Sequence, residues 1–329
     1  MTPADLGTSR LSLRHLSDEQ SAQLRLLHKT NSAWNWVCAL YPATWILAAV
    51  GMVLYPTWWV RSIGIIAIGI SIQAMAILMH EALHRNLFRR STLDRWARFL
   101  FGIPAFFSGT AYMIAHLNHH RHTRTSLDQD EISNYCRTDF QHKALFYALF
   151  GAGAAVYFFI VPWKALSIAR PADRRRILFE YTAMLGVYAG AIISGIASGH
   201  VAWLLWYWLI PAQLATFLSN IRGIAEHLCT SRGSVVSRTR TTLSNPIVSF
   251  LMCNLNFHLE HHLFPGIPWY NLPKAHVLLR DLYRDNDAHI ERSYVLHTIR
   301  AFRYGPLRDL RGHNPLPGGA LERYRVHPC

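Results

Sequence analysis

Four runs of apolar residues stand out along the chain, near 34–54, 58–79, 178–198 and 201–219. Each matches the roughly 20 residues that a helix needs to cross about 30 Å of hydrocarbon. They come in pairs joined by tight turns, Tyr55-Pro56-Thr57 and Gly199-His200, so two transmembrane helical hairpins are expected at 34–79 and 178–219. Neither turn holds a Lys or Arg, whereas residues 1–33, 80–177 and 220–329 are rich in both. Basic loops stay on the cytosolic side. Both turns should therefore face outward, and the other three segments should lie in the cytosol or at its membrane interface.

A fifth apolar run, 145–163, would upset this count if it crossed. The cluster Lys164, Arg170, Arg174, Arg175 and Arg176 follows it and belongs in the cytosol. The run, with Gly151, Gly153 and Pro162, is accordingly expected to lie in the interface or to dip in and return. Residues 97–115, interrupted by Gly102, Pro104 and Gly109, invite the same interfacial reading. Gln73 and Gln213 fall at membrane depth and are expected to bond between helices. The aromatic set in V-A-W-L-L-W-Y-W, residues 201–208, is expected to form an interfacial belt.

Composition agrees with a membrane protein: half the 329 residues are hydrophobic and only 16% are charged. The 33 Lys and Arg outnumber the 19 Asp and Glu. No RNA- or DNA-binding motif accompanies that charge, so basic flanks of apolar spans account for it and no nucleic-acid partner is expected. The five cysteines are odd in number and form no C-x-x-C pair, which argues against a disulfide framework or an iron-sulfur site. The polar residues 1–33 contain no signal-peptide core.

The chemistry lies in the histidines. H-E-x-x-H at 80–84 sets His80 and His84 on one helix face with Glu81 between them, the arrangement by which many metalloproteases hold zinc. H-L-N-H-H at 116–120 and H-L-E-H-H at 258–262 each place histidines at i, i+3 and i+4, within a 100° arc of a helix. His116, His119 and His120 thus share a stripe, as do His258, His261 and His262, while His122 should point elsewhere. His227 follows the fourth span. The topology brings all four places to one cytosolic membrane face. Nine candidate ligands, namely His80, His84, His116, His119, His120, His227, His258, His261 and His262, exceed the three of a catalytic zinc and suit two metals of four or five nitrogens each. A metal transporter would carry ligands along its spans, and these are bare of histidine. Imidazole alone does not choose among iron, copper and zinc.

H-E-A-L-H, H-L-N-H-H and N-F-H-L-E-H-H-L-F-P at 256–265, followed by G-I-P-W-Y-N-L-P, resemble the three histidine boxes of membrane fatty acid desaturases. The resemblance covers about residues 30–280, and the third box with its tail is its most specific part. It implies an all-α integral membrane protein, two irons held by the boxes at the cytosolic face, O2 as co-substrate, and a long acyl or other lipid chain in a tunnel beneath the metals. It also implies that His227 is the isolated ligand after the last span. Acyl-CoA desaturases usually carry an asparagine four residues before that histidine. Here Gly223 takes its place, leaving Asn220 or Asn256 to substitute. His327-Pro328 lacks the following glycines of a fused cytochrome b5 haem site, so electrons are expected from a separate ferredoxin, rubredoxin or cytochrome b5 type protein.

Each ligating histidine should be oriented through its second ring nitrogen by a carboxylate or carbonyl. Glu81, Glu226 and Glu260 are expected in that role. Asp128 and Asp130, in S-L-D-Q-D-E, are balanced between it and a solvated acidic loop. The expected reaction is insertion of a double bond into a long lipid chain. Hydroxylases, ketolases and terminal-alkene-forming decarboxylases use similar boxes and are the nearest alternatives. A zinc peptidase centred on H-E-A-L-H is a distant one. The whole chain is expected to form one domain.

Overall fold

The computed structural model describes residues 16–231, 233–286 and 288–306. His327-Pro328 and Cys329 lie outside the described residues. Helices dominate, and strand among the described residues is limited to Arg240–Thr242 and His289–Glu291, which pair in parallel. The chain divides into two compact units interleaved in sequence. One comprises Asn31–His116 and Tyr147–Asn220, the other the described parts of Met1–Thr30, Leu117–Phe146 and Ile221–Cys329.

Among the described residues, four helical stretches are long and apolar enough to cross a membrane: Asp18–Leu54, Trp58–Leu83, Asp139–Ile168 and Pro171–Ala197. Three of them coincide with the expected runs at 34–54, 58–79 and 178–198, the last ending one residue early. The fourth differs from expectation. The run 145–163 belongs to the 30-residue helix Asp139–Ile168, which ends before the basic cluster at 170–176 and takes in only Lys164. The run 201–219 is instead divided among Ala202–Leu204, a π turn at Leu205–Leu209 and the helix Ile210–His227. Trp58–Leu83 changes character along its length: Trp58, Trp59, Ile63 and Ile66 are exposed, whereas almost every residue from Ile68 to Leu83 is buried. A helix end buried on all faces needs apolar residues all round, and I-G-I-S-I-Q-A-M-A-I-L-M supplies them up to His80.

Residues 91–122 form a helical hairpin. Ser91–Gly102 runs to a turn at 103–108, and Gly109–His122 returns from it. Arg98 crosses Gly109 so closely that a Cβ at Gly109 would lie 2.6 Å from the Arg98 carbonyl oxygen, so only glycine fits there. The turn is held along the candidate span Pro171–Ala197. Glu180 and Tyr188 lie about 14 and 26 Å from the start of that helix, at about 1.5 Å per residue. Tyr188 Oη donates to the Ile103 carbonyl at 2.8 Å, and Trp208 Nε1 donates to the Pro104 carbonyl at 3.1 Å. Buried Glu180 accepts from Ser108 Oγ at 2.6 Å and from Thr110 N and Oγ1 at 2.9 and 2.6 Å. Irregular backbone beside lipid-facing helices is tolerated only when its polar groups are matched. Glu180 also places a carboxylate at a helix N-terminus, where negative charge is favoured.

The same rule explains the break in Asp139–Ile168. Ala152, between Gly151 and Gly153, leaves helical geometry. The Gln213 side chain accepts from Ala154 N at 3.3 Å and donates to the Phe150 carbonyl at 3.0 Å, while Asn220 Nδ2 donates to the Leu149 carbonyl at 2.6 Å. The interhelical bond expected of Gln213 is present. The aromatic set 201–208 splits: Trp203 and Trp206 are exposed, but Trp208 turns inward and stacks on Phe106 with centroids 5.3 Å apart.

Glu180→Ala strands the Ser108 and Thr110 donors in a buried site. It is expected to cost about 3 kcal/mol, read as a lowered thermal unfolding midpoint in detergent. Glu180→Gln, which keeps one acceptor oxygen, should cost less. An unchanged midpoint for the alanine variant would show that the turn does not depend on this carboxylate.

Candidate metal centre

In the unit built from Asn31–His116 and Tyr147–Asn220, His80, His84 and His116 face one another. His80 and His84 sit one turn apart where Trp58–Leu83 ends, and His116 is carried by Gly109–His122. His80 Nε2 lies 2.9 Å from His116 Nε2, and the three ring centroids are 4.5 to 5.4 Å apart. Tyr112, one turn before His116, stacks on its ring at 5.3 Å. Glu81 is fully buried, with Oε1 3.5 Å from His80 Nδ1, and Asn86 Nδ2 donates to its Oε2 at 3.3 Å. Burial pushes His84 down to about 3, keeping its imidazole neutral.

In the other unit, His119, His227, His258 and His262 bring their ligand atoms within 4.8 Å of one another. His227 Nε2 is 3.2 Å from His119 Nε2 and 3.0 Å from His258 Nε2, and His262 Nε2 is 3.0 Å from His258 Nε2. The opposite ring nitrogens turn outward. His119 Nδ1 donates to Asp128 at 2.9 and 3.1 Å, His227 Nδ1 lies 3.4 Å from the Arg238 carbonyl, His258 Nδ1 lies 3.3 Å from Glu226 Oε1, and His262 Nδ1 lies 3.5 Å from Thr123 Oγ1. With the outward nitrogens carrying the hydrogens, four lone pairs point at one another. Neutral imidazoles so arranged repel unless a cation lies among them, so these residues fit a metal.

The charges agree. Burial and neighbouring cationic groups hold His227, His258 and His262 well below the ordinary histidine range. Burial also opposes charge on His119, but the Asp128 carboxylate outweighs it and raises His119 to about 9. Asp128 falls to about 2: burial works against its charge, and the His119 pair with backbone donors from Asp130 and Arg124 overcomes that. Burial lifts Glu226 to about 7, although Arg222 pairs with it and works the other way.

The remaining expected residues are distributed as follows. His120 Nε2 lies 3.0 Å from His261 Nε2, and His120 stacks on His262 with centroids 4.2 Å apart. His122 joins none of these groups, and its carbonyl accepts from Thr125 Oγ1. The acidic loop is not solvated at Asp128, which is 2% exposed. Arg124 N donates to Asp128 at 2.8 Å, and the Arg124 guanidinium pairs with buried Glu131. Asp130 donates its backbone N–H to Asp128 Oδ1. The Glu260 carboxylate accepts from Thr241 Oγ1 and from His276 Nδ1, a histidine that the spacing argument passed over. Asn256 Nδ2 donates to the Thr242 carbonyl at 3.0 Å. Asn220 accepts from Tyr157 Oη at 2.6 Å while bonding Leu149, so its amide joins two helices.

Comparison with known proteins agrees with the motifs. The model for the fatty acid desaturase family matches residues 56–294. Dihydrorhizobitoxine desaturase of Bradyrhizobium elkanii is 28% identical over 82% of this chain and 82% of its own. The sn-1 oleoyl-lipid 12-desaturase of Arthrospira platensis is 21% identical over 69% of this chain and 70% of its own. A fatty acid conjugase of Calendula officinalis is 21% identical over 68% and 67%.

Asp128→Ala removes the acceptor that turns His119 Nε2 toward its three neighbours. A fall of about 10- to 100-fold in metal affinity is expected, measured by competition with a chelator. Wild-type affinity would show that the backbone alone orients His119.

Proposed function

The chain belongs to the fatty acid desaturase family, and we propose that it is an O2-dependent di-iron desaturase that inserts a double bond into a fatty acyl or other long lipid chain. The convergence of His119, His227, His258 and His262, with their second nitrogens turned to Asp128, Glu226, a carbonyl and a hydroxyl, carries this reading. One iron is assigned to that group, within a total of two held by the histidine boxes and His227. When bound, the irons supply the oxidising power toward O2 and an unactivated C–H bond that side chains lack. The chain's own part is to disfavour charge on His84, His227, His258 and His262, aim the ring nitrogens, and keep water out by burial.

Electrons come from a separate electron-transfer protein, and the active site lies on the cytosolic membrane face, as the basic segments around the apolar hairpins favour. The relatives' names divide over substrate: one is named for dihydrorhizobitoxine and others for lipids. The apolar composition and the lipid-acting relatives favour a lipid here, with an unusual amphiphile as the competing substrate.

Detergent-purified protein from iron-supplemented cells should contain about two irons per chain, as nine nitrogens in two sets require. Mass spectrometry of lipids from cells expressing it should show species two mass units lighter, absent with His258→Ala. About one zinc and no iron would return H-E-A-L-H to the peptidase reading, and products gaining oxygen would make it a hydroxylase.

A further inference from the structure

The helix Ile210–His227 ends on a metal-site residue, and its final carbonyls have no helical partners ahead of them. Side chains supply them. Arg240 Nη1 donates to the Ala225 carbonyl at 2.8 Å, and Nη1 and Nη2 both reach the Leu228 carbonyl at 3.4 Å. Thr239 Oγ1 donates to the Glu226 carbonyl at 3.3 Å, and Thr230 Oγ1 donates to the His227 carbonyl at 2.8 Å. Four consecutive carbonyls, 225 to 228, are thus fixed from outside the helix, with Arg240 gripping one on each side of His227.

Arg240 is itself built in. It is fully buried, and its strand residue pairs with His289 in the parallel ladder. His297 Nε2 lies 3.3 Å from Arg240 Nη1, and Glu291 lies 3.6 Å from His297 Nδ1 while pairing with Arg300 at 3.0 Å. Burial and the Arg240 charge hold His297 below the ordinary histidine range, and its Nε2 also lies 3.2 Å from the Ile224 carbonyl of the helix Ile210–His227. Full burial excludes a role for Arg240 at lipid head groups or in docking an electron donor. A cation at a helix C-terminus is favoured by the helix dipole. The planar fork of arginine reaches two carbonyls at once, which the point charge of lysine does not.

We propose that Arg240 is a positioning residue for the four-histidine metal site, setting the last helical turn so that His227 Nε2 and the Glu226 carboxylate meet His258. The role rests on the metal reading of that site. Protein bearing Arg240→Met, Arg240→Lys or His227→Ala is compared with wild type by iron content per chain, iron release to a chelator, and elution as a folded species in detergent. Arg240→Met should match His227→Ala, losing one of the two irons while still eluting as folded protein. Arg240→Lys, which keeps the buried charge and guards against misfolding of the methionine variant, should release that iron at least tenfold faster than wild type. Wild-type iron content and release in the folded variants, with wild type fully loaded, would overturn the role alone. Wild type that binds no iron would overturn the metal reading and the role together.

Discussion

Imidazole nitrogens held about 3 Å apart with their lone pairs converging are an unfavourable arrangement, and much of the chain around His227 exists to hold it. Flexible histidines would relieve the repulsion by rotating away. Rotation is opposed by groups at the far nitrogens, hydrogen-bonded at His119 and His227 and close by at His258, and these come from different stretches: Asp128 from the loop after Gly109–His122, the Arg238 carbonyl from the segment before the short strand, Glu226 from the helix end itself. The strain is small in each contact, since a typical buried hydrogen bond nets only about 1 kcal/mol. Pre-organisation comes from having several at once, so that no single ring can turn without breaking a bond and burying a lone pair.

The carboxylates that do this are themselves expensive to bury, and each is matched. Asp128 takes two backbone N–H groups besides His119, Glu226 is paired with Arg222, and Glu260 is shared between Thr241 and His276. A lone buried carboxylate would take up a proton instead of orienting a histidine. Arg124–Glu131 extends the pattern one layer outward by fixing the loop that presents Asp128.

The parts of this arrangement that repeat with helical spacing were legible in the sequence. H-E-A-L-H reads directly, because His80, Glu81 and His84 act from one helix end. H-L-N-H-H was legible as a stripe, but not in its division: His116 groups with His80 and His84, whereas His119 groups with His227, His258 and His262. That depends on which other elements arrive, which spacing does not encode. Glu81 lies 3.5 Å from its sequence neighbour His80, whereas Glu226, next to His227 in sequence, approaches the distant His258 at 3.3 Å. Glu260, between His258 and His261, pairs with His276 instead, and Asp128 stood evenly between a histidine partner and a solvated acidic loop because its partner is nine residues back. Arg240 gave no signal at all, since a basic residue in a basic loop is indistinguishable from one capping a buried helix.

The apolar runs 97–115 and 145–163 pose a related physical problem. Gly and Pro inside an apolar stretch signal broken backbone, and broken backbone beside lipid is costly. The cost is real but is met locally by polar side chains distant in sequence. Glu180, Tyr188 and Trp208 close the turn at 103–108, and Gln213 with Asn220 closes the kink at Ala152. A buried polar residue in an apolar helix is therefore best paired with the nearest unexplained Gly or Pro on another helix before it is assigned to substrate or ion. Asn220 is the instructive case. It stood as a substitute for the family's asparagine near the metal, yet both ends of its amide are occupied in joining Ile210–His227 to Asp139–Ile168. Its position near the last span follows from the need to satisfy a bent helix, and that need accounts for it without any water or metal.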